Sequence, residues 1–220
     1  MDIKHKPKLL IFASGTKDGG GSGFEALVEA QKCGMLDAEI AGVVSPHWHG
    51  GVRKIADANG IQFFYYGTPW TATSNRWILK KTGADWVALS GWFKKMDGHN
   101  PKITINIHPA RLAFGGRGMY GINVHRAVID AYQKGFIKDT AVCMHFVTEE
   151  YDRGPIFFEH PIPIYPTDTP EILQERVKKF EHLFQWAITD LVIHKKIAWD
   201  GKDPGSLVVP KGYRFLPKKA

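Results

Sequence analysis

Cysteine is scarce in this chain of 220 residues, which contains only Cys33 and Cys143. Two cysteines without metal-type spacing form neither a disulfide framework nor a zinc-ligand set, so both are predicted to be core thiols of a cytosolic protein. No apolar run is long enough to span a bilayer, and the first residues, MDIKHKPK, lack the apolar stretch of a secretory signal. We therefore expect a soluble, cytoplasmic protein without a membrane partner.

Acidic residues are fewer than basic ones, 22 against 29, which gives a net charge of +7. Such an excess favours an anionic partner without specifying it. Part of the excess is terminal, and the tail that carries it is predicted to be a solvated end, not a nucleic-acid-binding arm. These terminal cations are Lys4, Lys6, Lys8, Lys211, Arg214, Lys218 and Lys219.

The length and the 44% hydrophobic content predict one domain over residues 1–220 with a full core. In the first half, apolar strands alternate with helices, which indicates a Rossmann-like α/β fold: a mostly parallel twisted sheet with helices on both faces. The predicted strands are 8–13, 39–44, 61–65, 86–90 and 102–107. The predicted helices are 24–33, 52–59 and a segment around Trp77 that ends before Gly83.

After Ile107 the pattern changes, and we expect antiparallel additions to the sheet. A helix is predicted at 124–134 and strands at 141–147 and 156–164, the second too rich in proline to be central. Thr169-Pro170-Glu171 is typical of a helix start, with a capping hydroxyl and proline in the first turn. This helix is predicted to run to about Ile193.

The loop 14–23 is rich in glycine and opens the first helix. Free amides at a helix N-terminus suit a phosphate or another anion. The loop is not a Walker loop, because no Gly-Lys-Ser/Thr closes it. A flexible turn without a ligand fits the loop alone equally well.

The segment Asn106-Ile107-His108-Pro109 ends a predicted strand. Residues two apart project from the same face of a strand, so Asn106 and His108 would present an amide donor and an imidazole together. Asp152 is the candidate acid to complete an acid/base site. Without further support, a strand-end turn with a satisfied, semi-buried histidine would be the preferred explanation of these residues.

Other polar and aromatic residues carry weaker signals. His47 and His49 lack a third ligand at suitable spacing, so we predict surface loop residues and no metal site. The aromatic residues at helix and strand positions are predicted to lie in the core. They are Trp77, Trp86, Trp92, Phe184 and Trp186.

The chain resembles the folate-dependent phosphoribosylglycinamide formyltransferases across roughly its whole length. The matching segments occur in family order. They are Ser14-Gly15 to Gly21-Ser22-Gly23, Leu89-Ser90-Gly91-Trp92-Phe93-Lys94-Lys95-Met96, Asn106-Ile107-His108-Pro109, Gly118-Met119-Tyr120-Gly121 to Val124-His125, His145-Phe146-Val147-Thr148 to Asp152-Arg153-Gly154-Pro155, and Arg176-Val177 to Glu181-His182.

The resemblance implies formyl transfer from 10-formyltetrahydrofolate to the amine of 5-phosphoribosylglycinamide in purine biosynthesis, without a metal. Asn106 and a protonated His108 would stabilise the developing oxyanion, and Asp152 would raise the pKa of His108 and order a proton-relaying water. Thr148 would position the same water.

The resemblance also implies binding residues, with the phosphate side in the N-terminal half and the folate side in the C-terminal half. Gly21, Ser22, Gly23 and Glu181 would contact the phosphoribosyl substrate. Phe93, Lys94, Lys95, Met96, Val147 and Thr148 would contact the folate, and Met119, Tyr120 and Gly121 would border both ligands.

Two family contacts lack an obvious counterpart. Gly23 stands where asparagine is common, and Lys17 is a candidate replacement; Arg76 is a candidate for the folate tail. The alternatives are a formyltransferase for an amino sugar or methionyl-tRNA, a formyltetrahydrofolate hydrolase, and a non-catalytic nucleotide-binding module. We expect a monomer or homodimer.

Overall fold

The computed structural model describes residues 6–217. Within them the strands are β1 Lys8–Phe12, β2 Glu39–Ser45, β3 Phe63–Tyr65, β4 Trp86–Ser90, β5 Thr104–His108, β6 Asp139–Phe146 and β7 Ile156–Pro163. The α-helices are α1 Ser22–Lys32, α2 Gly51–Ala58, α3 Ala72–Thr82, α4 Ile122–Gln133 and α5 Pro170–Ile193. Each predicted strand and helix is present, with ends shifted by a few residues.

The strands form one sheet in the order β3-β2-β1-β4-β5-β6-β7. The pairs from β3 to β5 are parallel, and β6 and β7 are added antiparallel. The predicted fold class is therefore confirmed. The chain reverses its direction of travel across the sheet between β1 and β4, and ligands of such sheets bind beyond the strand ends at this point.

Strand side chains alternate between two cores. Leu9 and Ile11 of β1 belong to the larger core, which α1, α2, α4 and α5 complete. Leu10 and Phe12 belong to the smaller core on the opposite face, to which α3 contributes Ile78. The sheet thus has helices on both faces, and most of the helical cover lies on one of them.

The polar side chains of β5 lie on the sheet face that has less helical cover. Ile105 and Ile107 point into the larger core. Asn106 and His108 alternate with them and therefore lie on the other face. There the loops that follow β4 and β6 leave room for a cleft.

Three sequence predictions about burial were wrong. Cys33 follows the last turn of α1 and is exposed, and Trp77 is 54% exposed on α3. The tail is not merely a solvated end, because Leu207, Val209, Tyr213 and Phe215 pack against the larger core. Its Lys211 and Arg214 are exposed, whereas Lys4, Lys218 and Lys219 lie outside the described residues.

Candidate active site

A cleft of about 840 Å³ lies beyond the ends of β1, β4 and β5. Its walls are the loop that opens α1, the loops after β4, β5 and β6, and one face of α5. The residues assigned to catalysis, substrate binding and folate binding from the sequence all line it, whereas the candidate replacements Lys17 and Arg76 do not. The assigned residues are Gly21, Ser22, Gly23, Phe93, Lys94, Lys95, Met96, Asn106, His108, Val147, Thr148, Asp152 and Glu181.

Asp152 lies between the two polar residues of β5. Its Oδ1 is 3.5 Å from Asn106 Nδ2 and 3.9 Å from His108 Nδ1. Its Oδ2 accepts a hydrogen bond of 2.8 Å from the Gly116 N–H. The structure therefore brings the amide, the imidazole and the carboxylate into one group.

Two glycines allow the loop around Asp152 to fold this closely. A Cβ on Gly154 would lie 1.7 Å from the backbone oxygen of Phe146, and one on Gly115 would lie 2.5 Å from the Cβ of Asp152. Asp152 itself has a φ of 51°, a conformation that Asp tolerates better than most residues. The Asp-x-Gly-Pro sequence is thus explained by backbone geometry.

His145 is a fourth member of this group that the sequence reasoning missed. Its Nε2 is 3.1 Å from Asn106 Nδ2 and 3.4 Å from Asp152 Oδ1. Its Nδ1 contacts the Phe146 carbonyl at 2.9 Å, so Nε2 is the ring nitrogen that faces both Asn106 and Asp152. The signal that could have found it is register, because His145 pairs with Asn106 across β5 and β6.

His108 differs from the prediction in its charge. Burial lowers its pKa to about 4 and outweighs the opposing effect of Asp152. The expected rise of the pKa is therefore wrong for the ligand-free protein, in which His108 is neutral near pH 7. Its Nε2 is buried and has no hydrogen-bond partner among residues 6–217.

Asp152 is ionised beside this neutral ring. Burial would raise its pKa, but the hydrogen bond with His145, the positive charge that His108 gains at acid pH and the Gly116 N–H together hold the pKa below its usual value. The site therefore combines a fixed negative charge with an imidazole that is free to accept a proton.

The start of α1 forms one end of the cleft. Gly21 precedes the helix with a φ of 92°, and no side chain caps the first turn. Ser22 Oγ is 3.2 Å from His182 Nε2, and Lys178 of α5 also lines this end. Uncapped N–H groups, a hydroxyl and a cation suit an anion.

One detail of this end differs from the sequence expectation. Lys17 is exposed and lies outside the cleft lining, so Lys178 is the better cation candidate. A Cβ on Gly23 would lie 2.4 Å from Ser90 Oγ, which explains why this position is a glycine.

Glu181 of α5 also lines the cleft. Burial raises the pKa of Glu181 to about 7, against the lowering effect of Lys178.

The other end of the cleft is more apolar. Trp92 and Met96 are buried in the smaller core, and Val147 packs against it. Phe93 and Tyr120 stack with their ring centroids 4.8 Å apart, and Met119 and Gly121 also line the cleft. Arg76 lies outside the lining and contacts Thr73 Oγ1 at 3.2 Å.

Two further findings concern only residues 6–217. They contain no group of three or more His, Cys, Asp or Glu arranged to hold a metal ion. No helix among them combines the length and the apolar character needed to cross a bilayer.

Known proteins resemble this chain in sequence and in fold. The formyl transferase family model matches residues 7–190. Phosphoribosylglycinamide formyltransferase of Arabidopsis thaliana, a chloroplastic protein, is 32% identical over 89% of this chain and 69% of its own length. The enzyme of that name from Bacillus subtilis is 30% identical over 80% of this chain and 89% of its own.

A solved structure extends the likeness to the fold. Glycinamide ribonucleotide transformylase 1 from Geobacillus kaustophilus is 28% identical, with a TM-score of 0.73, over 86% of this chain and 100% of that one. The chain spans about two thirds of the length of its plant relatives.

Proposed function

Because this chain belongs to the formyl transferase family, we propose that it transfers the formyl group of 10-formyltetrahydrofolate to the amine of 5-phosphoribosylglycinamide. The observation that carries the proposal is the order of features along one cleft. A helix start with uncapped N–H groups lies at one end, an apolar pocket between loops lies at the other, and Asn106, His108 and Asp152 lie between them.

The proposed ligand positions follow from this order. The substrate phosphate takes the N–H groups of Ser22 and Gly23, with Lys178 and His182 close by. Glu181 contacts the ribose or glycinamide part. The folate takes the apolar end, where Phe93, Lys94, Lys95, Met96, Val147 and Thr148 line the cleft, so the formyl carbon meets the amine beside His108.

The neutral state of His108 assigns it a base role first. The amine nitrogen attacks the formyl carbon, a C–N bond forms and the carbonyl oxygen becomes an alkoxide. His108 accepts the proton that the amine nitrogen loses, and the resulting imidazolium is stabilised by Asp152 and by the alkoxide. The proton then passes to N10 of the folate as the C–N10 bond breaks, which gives tetrahydrofolate and the formamide product.

Asn106 supplies a donor to the alkoxide in this scheme. One of its N–H groups is directed at His145 Nε2 at 3.1 Å, and the contact with Asp152 is long, at 3.5 Å. The N–H group that makes this long contact can therefore donate its hydrogen bond to a substrate oxygen instead. The hydroxyl of Thr148 donates to the Glu150 carbonyl at 3.1 Å, which leaves its oxygen to accept from a water.

The test of the chemistry is the variant His108→Ala. We expect the turnover number to fall about a hundred- to ten-thousand-fold, the usual range for a lost acid/base group, with an unchanged dissociation constant for the phosphoribosyl substrate. His49→Ala, at an exposed residue outside the cleft, is the matched control. Equal turnover by the folded His108→Ala protein and the parent would refute the role.

The alternatives differ in the acceptor. A panel should offer phosphoribosylglycinamide, amino-sugar nucleotides, methionyl-tRNA and water alone to the protein with 10-formyltetrahydrofolate. We expect formyl transfer only to the first. Release of formate with water alone would indicate a hydrolase, and no reaction with any acceptor would favour a binding module.

We also propose a domain organisation, an oligomeric state and a cellular location for this protein. We propose one domain, because a single sheet extends from β1 to β7, and a monomer or homodimer that binds neither nucleic acid nor membrane. We propose that the protein is located in the cytoplasm, because Cys33 and Cys143 are both free thiols and thiols stay reduced in that compartment. Sedimentation of the purified protein and fractionation of cells test these statements.

A further inference from the structure

His99 connects two walls of the cleft without lining it. It lies in the loop after β4, and its ring contacts a carbonyl on each side. Nδ1 is 2.6 Å from the Met96 oxygen of its own loop, and Nε2 is 3.0 Å from the Val147 oxygen at the end of β6. Met96 and Val147 both line the cleft, whereas His99 is half-buried behind them.

The contact completes the backbone bonding of Val147. The Val147 N–H donates to the Thr104 oxygen at 2.9 Å, and the Val147 oxygen accepts from His99 when the ring carries a proton on Nε2. Because both backbone groups have partners, the chain leaves β6 in a fixed direction toward Thr148 and Asp152. A neutral imidazole has one N–H and donates only one of the two bonds, and the imidazolium donates both.

The neighbouring contacts hold the His99 loop from its other side. Asn75 of α3 donates from Nδ2 to the Asp97 oxygen at 2.7 Å and accepts from Trp70 Nε1 at 2.7 Å. The loop is thus attached to α3 at Asp97 and to the end of β6 at His99. The second attachment crosses between the two loops that form the apolar end of the cleft.

We propose that His99 is a positioning residue that sets the spacing of the folate end of the cleft by joining the Met96 and Val147 carbonyls. This inference rests on the proposed function for the identity of the ligand. The bridge itself does not depend on which ligand binds. If the loop moved away from β6 at Val147, the apolar pocket would widen and the other end of the cleft would stay unchanged.

Two variants separate the bridge from ordinary packing. The amide nitrogen of asparagine is as many bonds from Cβ as Nδ1, so His99→Asn retains the bond to Met96 and loses the one to Val147. The amide nitrogen of glutamine is as many bonds away as Nε2, so His99→Gln retains the bond to Val147. We expect His99→Gln to behave like the parent.

For His99→Asn we expect the KM for 10-formyltetrahydrofolate to rise about tenfold, the upper range for one net hydrogen bond. The KM for phosphoribosylglycinamide should stay at the parental value. Equal effects of the two variants, or a parallel rise of both KM values, would overturn the proposal.

Amide hydrogen exchange tests the bridge independently of turnover. We expect residues 147–152 to exchange faster in His99→Asn than in the parent and in His99→Gln. A parent that transfers no formyl group refutes the proposed function, whereas unchanged exchange in His99→Asn refutes the bridge.

Discussion

At the scale of single residues, Gly154 allows the turn that carries Asp152 to pack against β6, because every other residue type has a Cβ at this position. Its Cα faces the Phe146 oxygen so closely that an added Cβ would lie 1.7 Å from it. Phe146 N also bonds to the Pro155 oxygen at 3.2 Å. The turn that carries Asp152 is thereby fixed against β6.

We predict that Gly154→Ala lowers the free energy of unfolding by about 3 kcal/mol, the upper range for overpacking, because the blocking atom is backbone. The midpoint of urea denaturation measures this. Gly19→Ala is the control, since its Cβ would meet its nearest neighbour at 3.9 Å. Similar stability of the two variants would contradict the explanation.

Individual site residues could be predicted from the sequence where the reason is local. Asn106 and His108 share a face because strand side chains alternate, and chemistry required an acid such as Asp152. The charge of His108 could not be predicted, because it depends on burial by segments that are distant in the chain. The exposure of Cys33 and Trp77 is also a tertiary property that helical position alone leaves open.

At the scale of elements, α5 presents one face to the cleft. The residues of this face are Gln174, Lys178, Glu181, His182 and Gln185, a spacing of three and four that suits a helix. Lys178 is the cation on it, and the adjacent Lys179 is exposed and lies outside the cleft. These neighbouring lysines allow a matched comparison.

We predict that Lys178→Met raises the KM for phosphoribosylglycinamide about tenfold and leaves the KM for 10-formyltetrahydrofolate unchanged, because a charge-assisted bond to phosphate contributes about 1.5 kcal/mol or more. Steady-state kinetics with each substrate varied in turn measures both values. Lys179→Met should equal the parent; a comparable loss there would indicate a general effect of net charge.

The elements themselves were predictable because their signals are local. Apolar β-branched runs indicated the strands, and Thr169-Pro170 indicated the start of α5, where Thr169 accepts from the Ile172 N–H at 3.3 Å. His145 was missed because the register of an antiparallel pair depends on which residues meet across the sheet. The packing of the tail was missed for the same reason, since its partner is β7.

At the scale of the whole molecule, two buried histidines link stability to pH. Burial lowers the pKa of both His108 and His125 to about 4, whereas a histidine in an unfolded chain titrates near 6.5. Between these values the unfolded chain binds more protons than the folded one. Their contribution to stability is therefore present above pH 6.5 and is lost as the pH falls toward 4.

We predict that His125→Leu loses about 2 kcal/mol less of its free energy of unfolding between pH 7 and pH 5 than the parent does. Urea denaturation at the two pH values gives the difference. His49→Leu, at an exposed histidine, should retain the parental dependence. A parental dependence in His125→Leu would show that His125 is not buried in its neutral form.

The order of strands and helices predicted the overall architecture, since alternating elements favour parallel pairing. The position of β7 was also predictable, because Pro161 and Pro163 cannot donate to a neighbouring strand. The covering of β7 by a later segment required long-range information, as the Glu159 N–H donates to the Phe215 oxygen at 2.6 Å.

The hydrogen bond between the Glu159 N–H and the Phe215 oxygen affects how readily the protein aggregates. An outer strand with bare amide groups is the surface through which sheets of separate molecules join into aggregates. Phe215 accepts from one such amide, and Pro161 and Pro163 have none to donate, so we expect this edge of the sheet to pair poorly with another molecule. Deleting residues 207–217 would uncover it, and the truncated protein would precipitate at concentrations where the full chain stays dispersed.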